Sequence, residues 1–308
     1  MKCLVTGGAG FIGSNIVDNL IEKNHKVIII DNLTTGTKEN INEKAVFYEM
    51  DIRDKKVEDV FKKEKPEIVF HTAAQIDVRK SVEDPIWDSE INISGSLNIL
   101  ENCKKYNVKK FIFSSTGGAI YGDTENIPTT EKEEAKPISP YGICKLSVEK
   151  YLHYYGKIFG LDYVSLRYSN VYGPRQNSKG EAGVVAIFID KILNNEQPLI
   201  NGDGKQTRDY VFVKDVVNAN MLAFEKNITG IYNIGTANET TVNEIFRLIN
   251  KNLGNKAEKK HAPAKKGEQQ RSCLDYGKAE KALGWKPEYN IEKGIKETVD
   301  WFKNKDKN

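Results

Sequence analysis

Short apolar runs alternate with amphipathic stretches through the first half of the chain. Runs at 2–5, 26–30, 68–72, 110–114 and 163–167 read as strands, with a weaker one at 45–48. Between them, apolar residues recur at helical spacing over 12–23, 55–64, 88–106 and 141–158. This alternation predicts an α/β fold, a Rossmann-type doubly wound parallel sheet covered by helices on both faces. After Asn170 the loops lengthen and the strands lose regularity, which predicts a smaller mixed α/β substrate unit. There, 201–204 (Asn-Gly-Asp-Gly) marks a turn and 231–234 reads as one more strand of the sheet. A helix is expected over 241–253, N-capped by Thr240 or Thr241, and a last one over 291–302 before a charged tail. The division expected is 1–169 and 170–308, with a segment around 208–238 returning to the first unit.

Composition narrows the class. The chain has 308 residues, 39% hydrophobic and 29% charged, enough for a sizeable core without metal or disulfide staples. No run approaches the roughly 18 apolar residues of a membrane span, and the stretch before Gly7 is too short for a signal peptide. Cys3, Cys103, Cys144 and Cys273 form no CxxC pair and are expected as reduced thiols in a cytoplasmic protein. The four histidines lack ligand spacing, so no metal is expected. A net charge of +3, with lysines interspersed among glutamates, gives no nucleic-acid footprint. Arginine is scarce, so each one carries more information than a lysine does.

Gly7, Gly10 and Gly13 follow the first strand and open the first helix, with Phe11 and Ile12 between them. The first glycine permits the turn, the second lets backbone approach a pyrophosphate, and the third lets helix and strand pack closely. The helix N-terminus then offers free N–H groups to the phosphates. Asp31 follows the second strand, with Asn32 beside it, where a carboxylate binds the adenosine ribose hydroxyls and repels a 2′-phosphate. NAD is therefore expected over NADP, although Lys38 lies nearby. Asp51 and Ile52 either border the adenine or, for Asp51, cap the next helix. Ala73, Ala74 and Gln75 follow the fourth strand, where small residues suit close approach of a ligand.

Tyr141 and Lys145 are four apart on one helix face. A neighbouring ammonium and a positive nicotinamide ring are expected to lower the phenol's pKa from its ordinary value near ~10. Lys145 is also placed to bind the nicotinamide ribose. Ser114, Ser115 and Thr116 are expected just after the fifth strand, where a hydroxyl can hydrogen-bond the reacting oxygen.

The glycine loop, His71-Thr72-Ala73-Ala74-Gln75, the Ser-Ser-Thr run, Tyr141-x-x-x-Lys145 and the run from Arg167 to Arg175 together resemble the extended short-chain dehydrogenase/reductases. Among these, the chain is similar to the nucleotide-sugar 4-epimerases, over nearly its whole length to Leu283-Gly284-Trp285. The resemblance implies that UDP-glucose and UDP-galactose are interconverted through a transient 4-keto sugar, with NAD tightly bound and recycled. Tyr141 would take the O4 proton, with Lys145 and Thr116 completing the catalytic set; one extra residue before Tyr121 leaves Ser115 as an alternative to Thr116. Ser114 and Tyr168 would join the cofactor site, and 1–169 would be the NAD-binding unit.

For the UDP-sugar, the resemblance implies contacts from Asn170, Gly183, Val184, Val185, Leu199, Arg208, Lys265, Glu268 and Arg271, besides Thr116 and Tyr141. The run Lys265-Lys266-Gly267-Glu268 departs from the family's Arg-x-Gly-Asp: lysine supplies charge but no bidentate fork, and Arg271 is expected to compensate. A small Ser272 should leave room for a C2 N-acetyl group, which adds UDP-N-acetylglucosamine and UDP-N-acetylgalactosamine. A uronate 4-epimerase, using Arg79 and Lys80 on a C6 carboxylate, is the alternative reading. A 4,6-dehydratase is disfavoured because Gly117-Gly118 supplies no carboxylate after Thr116. A homodimer is implied by the resemblance alone.

Overall fold

The computed structural model describes residues 1–178, 183–264 and 269–305. The first half runs β1 (Lys2–Thr6), α1 (Phe11–Glu22), β2 (Lys26–Asp31), β3 (Val46–Glu49), α2 (Val57–Glu64), β4 (Ile68–His71), α3 (Val78–Glu83), α4 (Pro85–Ser89), α5 (Ser96–Lys105), β5 (Lys110–Thr116), α6 (Gly117–Ile120), α7 (Pro140–Phe159) and β6 (Asp162–Tyr168). The second half continues with β7 (Asn170–Tyr172), α8 (Val184–Leu193), β8 (Leu199–Asn201), β9 (Thr207–Arg208), β10 (Tyr210–Phe212), α9 (Val213–Glu225), β11 (Gly230–Ile234), β12 (Thr240–Thr241), α10 (Val242–Asn252), β13 (Lys260–Ala262), α11 (Gly277–Leu283) and α12 (Ile291–Lys305).

Seven parallel strands form the sheet expected from the sequence, in the order β11-β6-β5-β4-β1-β2-β3. Chain direction across the sheet reverses between β1 and β4, and a crevice at the C-terminal strand ends follows from that reversal. Both faces are buried, with side chains alternating along each strand. Cys3, Val5, Ile29 and Phe70 pack toward Ile16, Val217 and Trp285. Leu4, Ile28, Val69 and Phe111 pack toward Val57, Ile99 and Val148. A third core, separate from the sheet, gathers Val185, Phe188, Ile245, Leu248 and Val299 from α8, α10 and α12.

The expected strand at 231–234 is β11, parallel to β6. Of the two N-cap candidates for α10, Thr241 serves, its side chain accepting from Glu244 N. The expected single helix over 88–106 is corrected. It begins earlier, at Pro85, capped by Asp84, and passes through a π-helical turn at Glu90–Gly95 before α5. Asn92 in that turn is held by both backbone groups of Gln75, and a Cβ on Gly95 would lie 2.6 Å from Ile52 Cδ1. Such turns mark sites where a helix gives up regularity for contacts. The fifth strand is also longer than expected and carries Ser114, Ser115 and Thr116 within it.

One buried ion pair joins α7 to the sheet. Glu149 accepts from Arg167 Nε at 3.0 Å and Nη2 at 2.6 Å, and from the hydroxyls of Ser115 and Ser165. Its partners satisfy the carboxylate, which offsets the cost of burying it. That pair fixes the helix carrying Tyr141 and Lys145 against β5 and β6.

Candidate active site

The glycine loop is built around close backbone contact. A Cβ on Gly13 would lie 2.1 Å from Gly7 O, and one on Gly7, at φ +70°, would meet Ala73 N at 2.7 Å. The loop, α1 and the end of β4 therefore touch with no room for side chains. At Gly10 the only neighbour of such an atom within 4 Å, among the described residues, is Gly7 O, at 3.2 Å, so the loop is open on that side among them. Gly10 is also the N-cap of α1, with no side-chain cap and no acid in the first turn. An uncapped helix start facing an open glycine edge fits a pyrophosphate.

Asp31 ends β2 and is buried, accepting from Ala9 N at 3.0 Å and Leu33 N at 2.8 Å. Burial raises its pKa, against the lowering from those two N–H donors. Lys38 pairs instead with exposed Glu49 at 3.7 Å, which leaves Asp31 without a neighbouring lysine partner in that pair. Asp51 accepts from Asn32 Nδ2 at 2.9 Å and from Arg53, while α2 is capped at Lys56. Of the two roles open to Asp51, helix capping is therefore not what it does. Ile52 is buried against the position of Gly95.

A buried chain of hydrogen bonds links the glycine loop to the 73–75 loop. Ser96 Oγ donates to Asn92 O at 2.6 Å, so toward His71 Nε2, 2.9 Å away, it can only accept. His71 Nε2 therefore carries the proton, and Nδ1 accepts from Thr6 Oγ1 at 2.7 Å. Thr6 Oγ1 in turn accepts from Ala73 N. Burial, with a contribution from Lys145, lowers His71 to about 3 and keeps it neutral.

Strand pleating separates the three hydroxyls at the end of β5. Ser115 points to α7 and is consumed by Glu149 at 2.7 Å. Ser114 Oγ meets Tyr168 Oη at 3.2 Å, and Tyr168 also accepts from Asn220. Thr116 Oγ1 accepts from Ala119 N, and it and Asn170 Oδ1 each lie 3.9 Å from the position a Cβ on Gly118 would take. Thr116 and Asn170 thus both border Gly118, and Ser115 turns away.

Lys145 is buried with its Nζ 2.9 Å from Ser114 O, 4.7 Å from the Phe113 ring centroid and 5.9 Å from that of Tyr141. Among the described residues Ser114 O is its one hydrogen-bond acceptor, so two of the ammonium's three donors are unspent. Burial lowers Lys145 to about 8, opposed by Asp88, Cys144 and Glu149. The Tyr141 phenol is raised by burial first and then by the Asp88 carboxylate, whereas the lowering expected from the sequence needs the positive nicotinamide ring as well as the Lys145 ammonium. Both effects disfavour the charged phenolate. Asp88, which sequence reasoning read only as the start of a helix, is the residue missed; its signal would have been an acid four residues before Asn92 on the crevice side.

The sugar-nucleotide candidates are more dispersed. Gly183 is the N-cap of α8 and has no side chain to cap it; Val184 follows half-buried, and the Val185 side chain is spent in the third core. Leu199 is 49% exposed on β8. Arg208 donates to Thr207 O at 2.7 Å on β9, which pairs with β12. Arg271 grips Glu239 through Nε at 3.0 Å and Nη2 at 2.5 Å, and Glu239 also bonds Thr207, so Arg271 and Arg208 share one cluster. Lys265 and Glu268 lie outside the described residues.

The NAD dependent epimerase/dehydratase family matches residues 3–235. A UDP-glucose 4-epimerase of Thermotoga maritima, solved with UDP-glucose, is 52% identical, with TM-score 0.97 over 99% of each chain. A UDP-glucose 4-epimerase of Thermus thermophilus, solved with NAD, is 44% identical, with TM-score 0.93 over 98% of this chain and 99% of that one. The UDP-glucose 4-epimerase of Mycolicibacterium smegmatis is 40% identical over 99% of each chain.

Gly13→Ala should force helix and loop apart. Overpacking of this kind costs about 1–3 kcal/mol, so the melting temperature should fall by several degrees and the purified variant should carry less bound NAD. Wild-type melting and full NAD content would show that the close approach is not needed.

Proposed function

We propose, because the chain belongs to the NAD dependent epimerase/dehydratase family, that it is a UDP-glucose 4-epimerase interconverting UDP-glucose and UDP-galactose. It is an NAD-dependent enzyme. The observation that carries the reading is Lys145, buried near the Tyr141 ring with its Nζ on Ser114 O at the C-terminal end of β5, the strand that also carries Thr116.

NAD, when bound, supplies the hydride acceptor and donor for sugar C4, and its positive charge favours the phenolate. Tyr141 removes the O4 proton and later returns it to the 4-keto sugar's oxygen after the sugar has turned over. Lys145 anchors to Ser114 O, leaving its remaining donors for the ribose. Thr116, not Ser115, orients O4, since the Ser115 hydroxyl is already spent on Glu149. Gly7, Gly10, Phe11, Ile12 and Gly13 take the pyrophosphate, and Asp31 the adenosine ribose. Asn32, Asp51 and Ile52 border the adenine, and Ala73, Ala74, Gln75, Ser114 and Tyr168 line the crevice. Residues 1–169, with 208–238 returning, hold the cofactor; 170–308 hold the UDP-sugar through Asn170, Gly183–Val185, Leu199, Arg208 and Arg271. Ser272 is buried and small, so N-acetylated UDP-hexoses belong in the substrate range.

The protein also pairs with itself in this reading. Ile143, Tyr151, Tyr154 and Ile158 are exposed along one stripe of α7. Among the described residues no helix is long and apolar enough to cross a membrane, and a second copy is the occupant proposed for the stripe. Ile158→Glu should turn a dimer into a monomer in light scattering; a wild-type monomer, or a variant dimer, would refute this.

Wild-type protein given UDP-galactose should yield UDP-glucose without added NAD. Tyr141→Phe should keep its NAD yet lose about 10²–10⁴-fold in kcat. Wild-type turnover in that variant, or no conversion of UDP-glucose, UDP-galactose or their N-acetyl counterparts by the parent, would overturn the reading.

A further inference from the structure

The crevice contains a buried acid that the reaction outlined above does not use. Asp88 is fully buried at the C-terminal part of α4. Its Oδ1 accepts from Gln75 Nε2 at 2.8 Å and from Asn92 Nδ2 at 2.9 Å. Its Oδ2 is buried and, among the described residues, no N–H or O–H group is hydrogen-bonded to it; the Cys144 thiol, a weak donor, lies against the carboxylate. A buried carboxylate is ordinarily paired or saturated with donors, because each unmet oxygen retains its desolvation cost. The residues around it do not build a metal site: among the described residues no group of three or more His, Cys, Asp or Glu could hold an ion.

Asp88 is tied into both halves of the site. Asn92 Nδ2 bonds Asp88 and Gln75 O, and Asn92 Oδ1 accepts from Gln75 N, so the acid closes a ring with the loop after β4. The same Asn92 receives, through its carbonyl, the last proton of the Thr6–His71–Ser96 chain. On the other side α4 packs on α7, and α3 reaches α7 through Ser81, whose hydroxyl accepts from Tyr141 N at 3.2 Å. The Asp88 charge acts on Tyr141, Cys144 and Lys145 alike.

We infer that Asp88 is a positioning residue for the epimerisation: its carboxylate is the buried charge through which the 73–75 loop and the Tyr141–Lys145 pair act as one electrostatic unit. This rests on Tyr141 and Lys145 being the proton-handling pair. The charge works in one direction on both members. It adds to burial in keeping the phenol protonated and opposes burial in keeping the ammonium charged. The protein thus keeps a neutral phenol and a cation side by side until the positive ring of a bound dinucleotide favours the phenolate.

The other groups facing the pair leave Asp88 as the one to alter. Cys144 and Glu149 lie on α7 itself, and Glu149 is neutralised by Arg167 of β6. His71 of β4 stays neutral, lowered to about 3. Arg79 and Lys80 of α3 are exposed, and Glu101 of α5 bonds Tyr155 further along α7.

The test is the pH dependence of kcat in Asp88→Asn holoenzyme, with bound NAD counted and thermal melting recorded. The amide keeps the size and one acceptor oxygen, so NAD content should stay near that of the parent. Without the charge, the acid limb set by the phenol and the alkaline limb set by the ammonium should both move down, by about half a unit to one unit. Asp88→Glu restores the charge and should bring the limbs back. Should the amide variant fail to fold, Asp88→Ser keeps a small acceptor for Gln75 and carries the same expectation. Limbs unmoved in a neutral variant that retains NAD would overturn the proposal, as would a loss of activity traced wholly to lost NAD. A parent profile whose limbs persist unchanged in Tyr141→Phe residual activity would instead refute the proton-handling pair itself.

Discussion

Burial of the Lys145 ammonium against the end of β5 is the interaction on which the site depends. With one carbonyl to bond and Phe113 beneath it, the ammonium is costly to keep charged, and its pKa falls to about 8. The fold tolerates that cost because α7 is fixed elsewhere, by Glu149 gripping Arg167, Ser115 and Ser165 one turn further on. The residue that holds the helix and the residue proposed to do chemistry are thus four apart on the same face. What remains unmet at Lys145 is what a ribose diol can supply.

The same logic recurs across the crevice. The sheet order reverses between β1 and β4, and the polar groups at those strand ends are satisfied by one another through Thr6, His71 and Ser96. A neutral histidine in that position lets the proton order be unique, so the glycine loop and the 73–75 loop are held in one arrangement. The glycines complete it by removing every Cβ that would separate the loop from α1 and β4. Rigid surroundings of this kind suit a cofactor that stays in place while its sugar partner turns over.

Much of this was legible in the sequence. The parallel sheet, the glycine loop and the Tyr141–Lys145 helix face follow from periodicity and from residues whose chemistry is local. What was illegible depends on long-range contact. The π turn at Glu90–Gly95 arises because Asn92 bonds a residue seventeen positions away, which no helical pattern records. Ser115 and Thr116 could not be told apart until β5 proved long enough to alternate them. The raised phenol reflects desolvation, which a four-residue spacing does not reveal. α8 and α9 had apolar residues at helical spacing throughout and could have been read; the long loops around them obscured the pattern.

In the proposed reaction hydrogen leaves and returns to the same carbon within one closed site. The most direct measurement uses UDP-glucose labelled with deuterium at C4, converted in ordinary water with unlabelled NAD added, and the product read by mass spectrometry. UDP-galactose retaining the label at C4, with none in the solvent or in the added dinucleotide, is the predicted result. Loss of the label to either one would contradict the account.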